Sequence, residues 1–421
     1  MNKKNKWLYV LLGINLISII YYVLYFIKFN HTPAPFIYDK SDTFMDFFNT
    51  LHWSYDATRY ETWQSIYPPI NFLFLKFVNF IISDGIYTEP FDIRHNNPGL
   101  IWFIIISFFL MPIFALKSYD WLNLKGKICV FLIFITSAPF LFTLERGNLI
   151  MYTLPFLYLF FYNINIYRAV SFSLLINIKP YFGVFLIPTF MRKKYRDFFL
   201  FILFSATVYI FSSVIIGPEF LFFLKNLFTF NENIFSLREV MSLPLTITSH
   251  IIFFSNADLS ILTSSLLGKF LIVNLLYIGY ISLIILFLYV IFRFKNILNH
   301  KDYICLFVFG LTNFFYQVGG YSIISYFILV PHIYKNYRFL IYFLIPLFMP
   351  LAIVPVFNDL LPYSYSFLYG GFTEVNYTLG LGSLLRPILN YLLLFFMCIM
   401  IIKRFGNINL PFTKGKKNEK L

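Results

Sequence analysis

Long apolar runs and short polar clusters alternate along this chain from one end to the other. The runs are roughly 16–26 residues long, close to the ~20 a helix needs to cross a hydrocarbon core of about 30 Å. They lack the every-second-residue alternation over about ten residues that marks a membrane barrel strand. The pattern therefore predicts membrane helices. The first run, Trp7 to Ile27, follows Met1-Asn2-Lys3-Lys4-Asn5-Lys6. It suits a retained first helix better than the shorter apolar core of a cleaved signal peptide.

Composition removes the soluble alternative. Of 421 residues, 59% are hydrophobic, 23% aromatic and only 12% charged, too few polar groups to clothe a globule of that size. The expected fold is all-α, a polytopic transmembrane helix bundle. The net charge of +14 would suggest nucleic acid in a soluble protein. Here most cations form short clusters between apolar runs, at Lys3/Lys4/Lys6, Lys117/Lys125/Lys127, Arg168, Arg192/Lys193/Lys194/Arg196, Arg293/Lys295/Lys301, Lys335/Arg338 and the tail from Lys403 to Lys420. That is the positive-inside pattern of a membrane protein, with membrane lipids and no nucleic acid as partners.

If all these clusters face the cytoplasm, spans fall near 7–28, 99–116, 128–144, 149–164, 168–180, 181–191, 197–216, 269–292, 303–318, 320–334, 339–356 and 385–402. That makes about twelve, with both termini inside. The chain must then turn back on itself at Lys179-Pro180. A competing arrangement makes 68–83 a span and 168–191 one helix. The first carries Lys179 to the outer end of two helices broken at a proline. The second leaves it in mid-bilayer, where a charge is costly. Three non-spanning regions, 29–98, 217–268 and 357–384, then lie outside and carry most of the carboxylates, while 403–421 forms a basic cytoplasmic tail.

Candidate chemistry gathers in the first half. Phe44, Phe47, Phe48, Leu51, Trp53, Tyr55, Trp63 and Tyr67 make the loop 29–98 too apolar for a free linker, and predict helices lying in the membrane interface as a lid. Asp42 and Asp46 are four apart and share a helix face, where like charges raise one carboxyl toward a general base. Their structural alternatives are Ser41-Asp42 as a helix cap and a solvated Asp46. Tyr67-Pro68-Pro69 opens another helix with proline in its first turn. Glu145-Arg146-Gly147-Asn148 and Asn177-Ile178-Lys179-Pro180-Tyr181 place cations among apolar runs, the usual mark of a functional site. A Glu145–Arg146 ion pair is the structural alternative. In the second loop Arg238 and His250 are candidate acceptor or carrier contacts. Cys129, Cys305 and Cys398 are far apart, and His52 and His95 are isolated, so no metal or disulfide framework is predicted. No Gly-rich phosphate loop supports an ATP-driven pump, and no cofactor is expected.

The order of these features, a loop aspartate, Tyr-Pro-Pro, Arg-Gly-Asn and Ile-Lys-Pro, resembles the GT-C superfamily of membrane glycosyltransferases. The likeness is to the polyprenol-phosphate-mannose-dependent mannosyltransferase group, and covers roughly residues 1–200. The remainder, 201–402, matches in hydropathy alone. The resemblance implies a bundle with a catalytic first outer loop. It also implies inverting transfer of a hexose, mannose favoured, from a polyprenyl-phosphate carrier to a lipid or glycan hydroxyl on the outer face of the cell membrane. Asp46 matches the catalytic aspartate, with Asp42 as the nearby alternative, and Arg146 and Lys179 match the cations that hold donor phosphate. Tyr67, Glu145, Asn148 and Tyr181 stand beside them as candidate substrate contacts. This chain has Lys-Pro-Tyr where the group commonly has Lys-x-Tyr-Pro. Two further readings stay open: a polysaccharide polymerase of the O-antigen type, which relies on arginines of later outer loops, and a flippase or transporter of lipid-linked sugars.

Overall fold

The computed structural model describes residues 6–32, 41–83, 89–163, 165–217, 220–229, 266–314, 320–350 and 355–406. It is mostly helical. Among the described residues four helices are long and apolar enough to cross a membrane, Trp7–Phe29, Pro98–Ser118, Tyr195–Ile216 and Leu385–Phe405. Leu124–Ile135 and Ala138–Arg146, bent by 55° at their break, together have the length and composition of a broken span or a re-entrant loop. The chain is a helical membrane protein. Shorter apolar helices lie at Pro69–Ile82, Leu149–Tyr162, Ile166–Ile178, Pro180–Met191, Tyr277–Arg293 and Arg338–Phe348.

The first half comprises α1 (Lys6–Phe29), α2 (Met45–Tyr55), α3 (Pro69–Ile82), α4 (Pro90–Asn96), α5 (Pro98–Ala115), α6 (Leu124–Ile135), α7 (Ala138–Arg146), α8 (Thr153–Tyr162), α9 (Asn165–Ile178), α10 (Leu186–Met191), α11 (Tyr195–Ile216) and α12 (Phe220–Thr229). The bend between α6 and α7 has a local cause. Ser137 caps α7 by accepting from the Phe140 N–H, and Pro139, in the first turn, has no N–H to continue the ladder of α6. Asn15 of α1 donates to the Ile133 carbonyl at 3.1 Å and joins α1 to α6. The helices α2 to α4 show that the first loop contains helices. Phe47, Phe48 and Leu51 of α2 are fully buried in the common core, however, so α2 is an internal element rather than a lid lying on lipid.

Helix α9 packs between α8 and α11, with Phe172 stacked on Phe201 at 4.8 Å. It ends at Lys179. Pro180 cannot extend its hydrogen-bond ladder, and a 3₁₀ segment, Pro180–Phe185, leads into α10. Arg168, near the start of α9, then lines one cleft with Arg192 and Lys194, which follow α10. The chain has returned to the end of the bundle from which α9 set out, so 168–191 is two short arms and not one helix.

The second half contains α13 (Leu266–Arg293), α14 (His300–Phe314), α15 (Tyr326–Asn336), α16 (Ile341–Phe348) and α17 (Leu381–Phe405). Polar side chains join them, as small hydrogen-bonding groups do between membrane helices. Asn390 of α17 donates to the Thr312 hydroxyl at 3.0 Å, and Asn313 donates to the Asn390 carbonyl at 3.2 Å. At the far end of α14, buried Asp302 accepts from the Tyr337 hydroxyl at 2.9 Å and contacts His332 Nε2 at 2.8 Å.

The all-α expectation holds for the bundle, with one local exception at 355–380. There β1 (Pro355–Ser366) and β2 (Gly371–Gly380) pair antiparallel, with Ser366 opposite Gly371. Gly370 takes φ 78° in the turn between them, a left-handed conformation that glycine adopts without a Cβ clash. The alternation in Tyr363-Ser364-Tyr365-Ser366, followed by Gly370-Gly371, is a hairpin signal that a helix-length hydropathy window averages away.

Two outcomes follow. In a protein freed of Cys129, Cys305 and Cys398, single cysteines at Tyr167 and Lys194 are expected to react with impermeant thiol reagent from the same side of the membrane. Labelling from opposite sides would restore a continuous 168–191 helix. Asp302→Ala strands two buried partners and should cost about 3 kcal/mol, read as a fall in the thermal midpoint in detergent.

Candidate active site

The site is built from the end of α7 upward. Gly147 ends that helix in the left-handed conformation at φ 64°. Its N–H returns to the Leu144 carbonyl at 3.0 Å, and the Asn148 N–H to the Thr143 carbonyl at 3.0 Å. This paired closure turns the chain sharply, so that Arg146 and Asn148, on either side of the glycine, both face the start of α2. Arg146 Nη1 meets Asp42 Oδ2 at 2.9 Å and Nη2 meets Asp46 Oδ1 at 2.7 Å. Asn148 donates to the other Asp46 oxygen at 2.7 Å. Asp46 therefore has one oxygen on a guanidinium and one on an amide, and is 16% exposed, against 46% for Asp42. The two carboxylates share a cation instead of merely repelling, and of the pair Asp46 is the enclosed, oriented group.

The backbone at the head of α2 is held from three directions. Phe44 takes φ 63°, uncommon for a residue with a side chain, and its N–H donates to the Glu145 carbonyl at 2.6 Å. Glu145 thus contributes its main chain. Asp42 does not cap α2 with its side chain, because the cap position is Phe44 and carries no side-chain cap bond. Arg94 of α4, 1% exposed, donates Nη1 to the carbonyls of Ser41 at 2.6 Å and Thr43 at 2.8 Å. Its guanidinium lies 4.2 Å from the Phe367 ring in the hairpin turn, and Phe44 packs edge-on against the same ring at 6.1 Å. Arg94 sets the backbone on both sides of Asp42.

Lys179 stands at the broken end of α9, 8% exposed, with Nζ 4.6 Å from the Tyr67 ring and 5.7 Å from the Tyr321 ring. The break leaves carbonyls that no helical N–H reaches. Asn71 of α3 meets two of them, donating to Asn177 at 3.1 Å and Ile178 at 3.3 Å while also reaching Pro68 at 3.2 Å. One amide thus fastens the Tyr-Pro-Pro turn to the Asn-Ile-Lys-Pro turn. Tyr67 lies within electrostatic reach of Asp46, Arg146 and Tyr181. Partial burial and the Asp46 carboxylate push its phenol well above the ordinary range, so it stays a neutral donor. The Tyr181 hydroxyl is 3.4 Å from Ser322 in the 3₁₀ segment Gly320–Ser325.

Behind the Lys179 turn opens a cleft of about 810 Å³, lined mainly by apolar groups and including Pro68, Asn177, Pro180, Ser205, Tyr209 and Leu227. Arg238 and His250 lie outside the described residues. Asp42, Asp46, Tyr67, Glu145, Arg146, Asn148, Lys179 and Tyr181 come together at one end of the bundle. Arg94, Asn71, Tyr321 and Ser322 belong to the same assembly and escape sequence reasoning. Arg94 and Asn71 sit in segments read for helix boundaries, while Tyr321 and Ser322 fall in the half read by hydropathy alone. A Gly319-Gly320-Tyr321-Ser322 interruption of an apolar run was the available signal. Comparison of the chain with protein-family models, with curated proteins and with solved structures finds no match.

A Cβ at Gly147 would stand 3.1 Å from the Phe44 carbonyl oxygen and 3.1 Å from Phe47 Cβ. Gly147→Ala is expected to cost about 2 kcal/mol in the thermal midpoint, from φ and crowding together. Gly370→Ala, also at positive φ but with open space around it, should lose clearly less.

Proposed function

We propose that this protein is an integral membrane glycosyltransferase that moves a hexose, mannose favoured, from a polyprenyl-phosphate carrier to a lipid or glycan hydroxyl, with inversion. In this reading the chain is of GT-C type and makes about twelve passages, the 168–191 turn included. Both termini are cytoplasmic and Asp46 is near the outer face. The observation that carries the reading is one assembly: an oriented carboxylate at Asp46, cations at Arg146 and Lys179, and an apolar cleft immediately behind Lys179.

Each part has a task. Asp46, its oxygens directed by Arg146 and Asn148, takes the proton from the acceptor hydroxyl as that oxygen bonds to the sugar C1. The C1–O bond to phosphate breaks on the opposite side, and its electrons leave on the polyprenyl phosphate. Charge on that phosphate grows in the transition state, where fixed cations in a poorly solvated site stabilise it most. Lys179 supplies a point charge and Arg146 a guanidinium N–H at Nη1. With donor bound, phosphate competes with the more exposed Asp42 for Nη1 of Arg146, while Nη2 and Asn148 keep Asp46 in place. The cleft behind Lys179 suits the carrier's hydrocarbon chain. The polymerase reading rests on later loop arginines such as Arg238, which lies outside the described residues.

Membranes supplied with synthetic polyprenyl-phosphate mannose, or another hexose, are the test. With equal membrane insertion, Asp46→Asn should lower transfer more than about a hundredfold, and Asp42→Asn much less. Undiminished transfer in both variants would remove Asp46 from the mechanism. No transfer by the unaltered protein with any such donor would favour the polymerase or flippase.

A further inference from the structure

At the opposite end of α9 from Lys179, roughly 15 Å along the helix, a second charged site forms that the proposed transfer does not use. Arg168, Arg192 and Lys194 line a narrow cleft together with His300, Tyr303 and a single carboxylate, Asp197. The cations reach it from separate segments: the first turn of α9, and the turn between α10 and α11. The head of α14 closes it. Arg168 donates Nε and Nη2 to the Asn163 carbonyl at 3.1 and 2.6 Å, which fixes its side chain. Arg192 lies 5.7 Å from the Tyr303 ring. Among the described residues none of the three cations makes an ion pair, Asp197 included. Three cations thus face one carboxylate, which acts on Arg168 from beyond ion-pair distance, and the cleft keeps a net positive charge. Burial first, and then Arg168, Arg192 and Lys194, push His300 down to about 3, leaving a neutral imidazole that adds no fourth charge.

The surroundings say where an anion would come from. Tyr167, Phe190, Tyr195 and Phe199 flank the cleft and are 68, 53, 47 and 65% exposed. Large aromatic side chains presented outward beside arginines are the composition of a membrane interface, where the fixed anions are lipid phosphates.

We infer that the Arg168–Arg192–Lys194 cleft is a binding site for a phosphate group, carried by an anionic lipid of the adjoining leaflet. The planar guanidinium forks of Arg168 and Arg192 match phosphate oxygens, and exposed Lys194 adds a point charge at the mouth. The lipid tail would run over the exposed aromatic residues. Occupation would bridge the start of α9, the α10–α11 turn and α14 through one ligand, joining elements of both halves at the end remote from Asp46. The inference is independent of the proposed glycosyl transfer.

The test uses the full chain in phosphatidylcholine nanodiscs. Binding is read by native mass spectrometry and by the thermal midpoint, with phosphatidylglycerol in the bilayer in one arm and inorganic pyrophosphate in solution in the other. The unaltered protein should retain phosphatidylglycerol and gain stability from it. Arg168→Gln/Arg192→Gln should weaken retention at least about tenfold, and Lys194→Gln, on an exposed position, a few-fold with the fold intact. Lys125→Gln, an exposed cation elsewhere, should bind as the unaltered protein does. Pyrophosphate binding that falls in the same variants, without lipid retention, would keep the phosphate site and assign it to a soluble anion. Equal retention by all variants, or no preference for phosphatidylglycerol over phosphatidylcholine, would overturn the site.

Discussion

A guanidinium carries charge into an apolar bundle only where oxygen atoms meet it. Arg146 is met by two carboxylates about a hundred residues away in sequence, and much of the first half is arranged so that they arrive. The helix beneath Arg146 must end abruptly, which Gly147 permits. The head of α2 must come within contact distance of that glycine, where a Cβ would be crowded. Phe44 must hold an uncommon backbone angle, and the carbonyls around Asp42 must be tethered, which Arg94 does. Burying a charge without such partners costs several kcal/mol, so these local features depend on one another rather than adding independently.

The sequence announced the site more clearly than it announced the geometry. Charges among apolar runs are conspicuous, so Arg146, Asn148, Lys179 and the Asp42/Asp46 pair were visible as candidates. The presence of helices within the first loop and the turn at Lys179-Pro180 were visible too, because proline and amphipathic spacing act locally. That Arg146 would bridge the two aspartates was not, since spacing along a chain carries no record of which distant helix ends meet. Arg94 and Asn71 were hidden for a related reason. Their side chains serve backbone carbonyls, and any segment offers carbonyls, so nothing in the sequence marks the partner. The hairpin at 355–380 had a local signal in its alternation and its Gly-Gly turn, but the dominant apolar pattern concealed it.

The two halves of the chain are unequal partners at this site. Among the described residues the first supplies every charged group at the site, held by a few short helices and turns. The second supplies walls: Tyr321 and Ser322 beside the lysine turn, and the Phe367 ring against Arg94. Aromatic faces against cations provide attraction without competing acceptors. The two rings help to hold the positive charge at Lys179 in position.

The reversal at Lys179 also acts on the surrounding lipid. Its two arms, 14 residues of α9 and the stretch Pro180–Met191, rise only about 20 Å each, well short of a hydrocarbon core of about 30 Å. Thinning of the bilayer is one way such short elements are accommodated. Under the proposed topology, it would draw the membrane surface down toward Lys179. A molecule anchored by its tail in that leaflet would have its polar end lowered to the depth of the lysine by the shape of the membrane, before any side chain touched it.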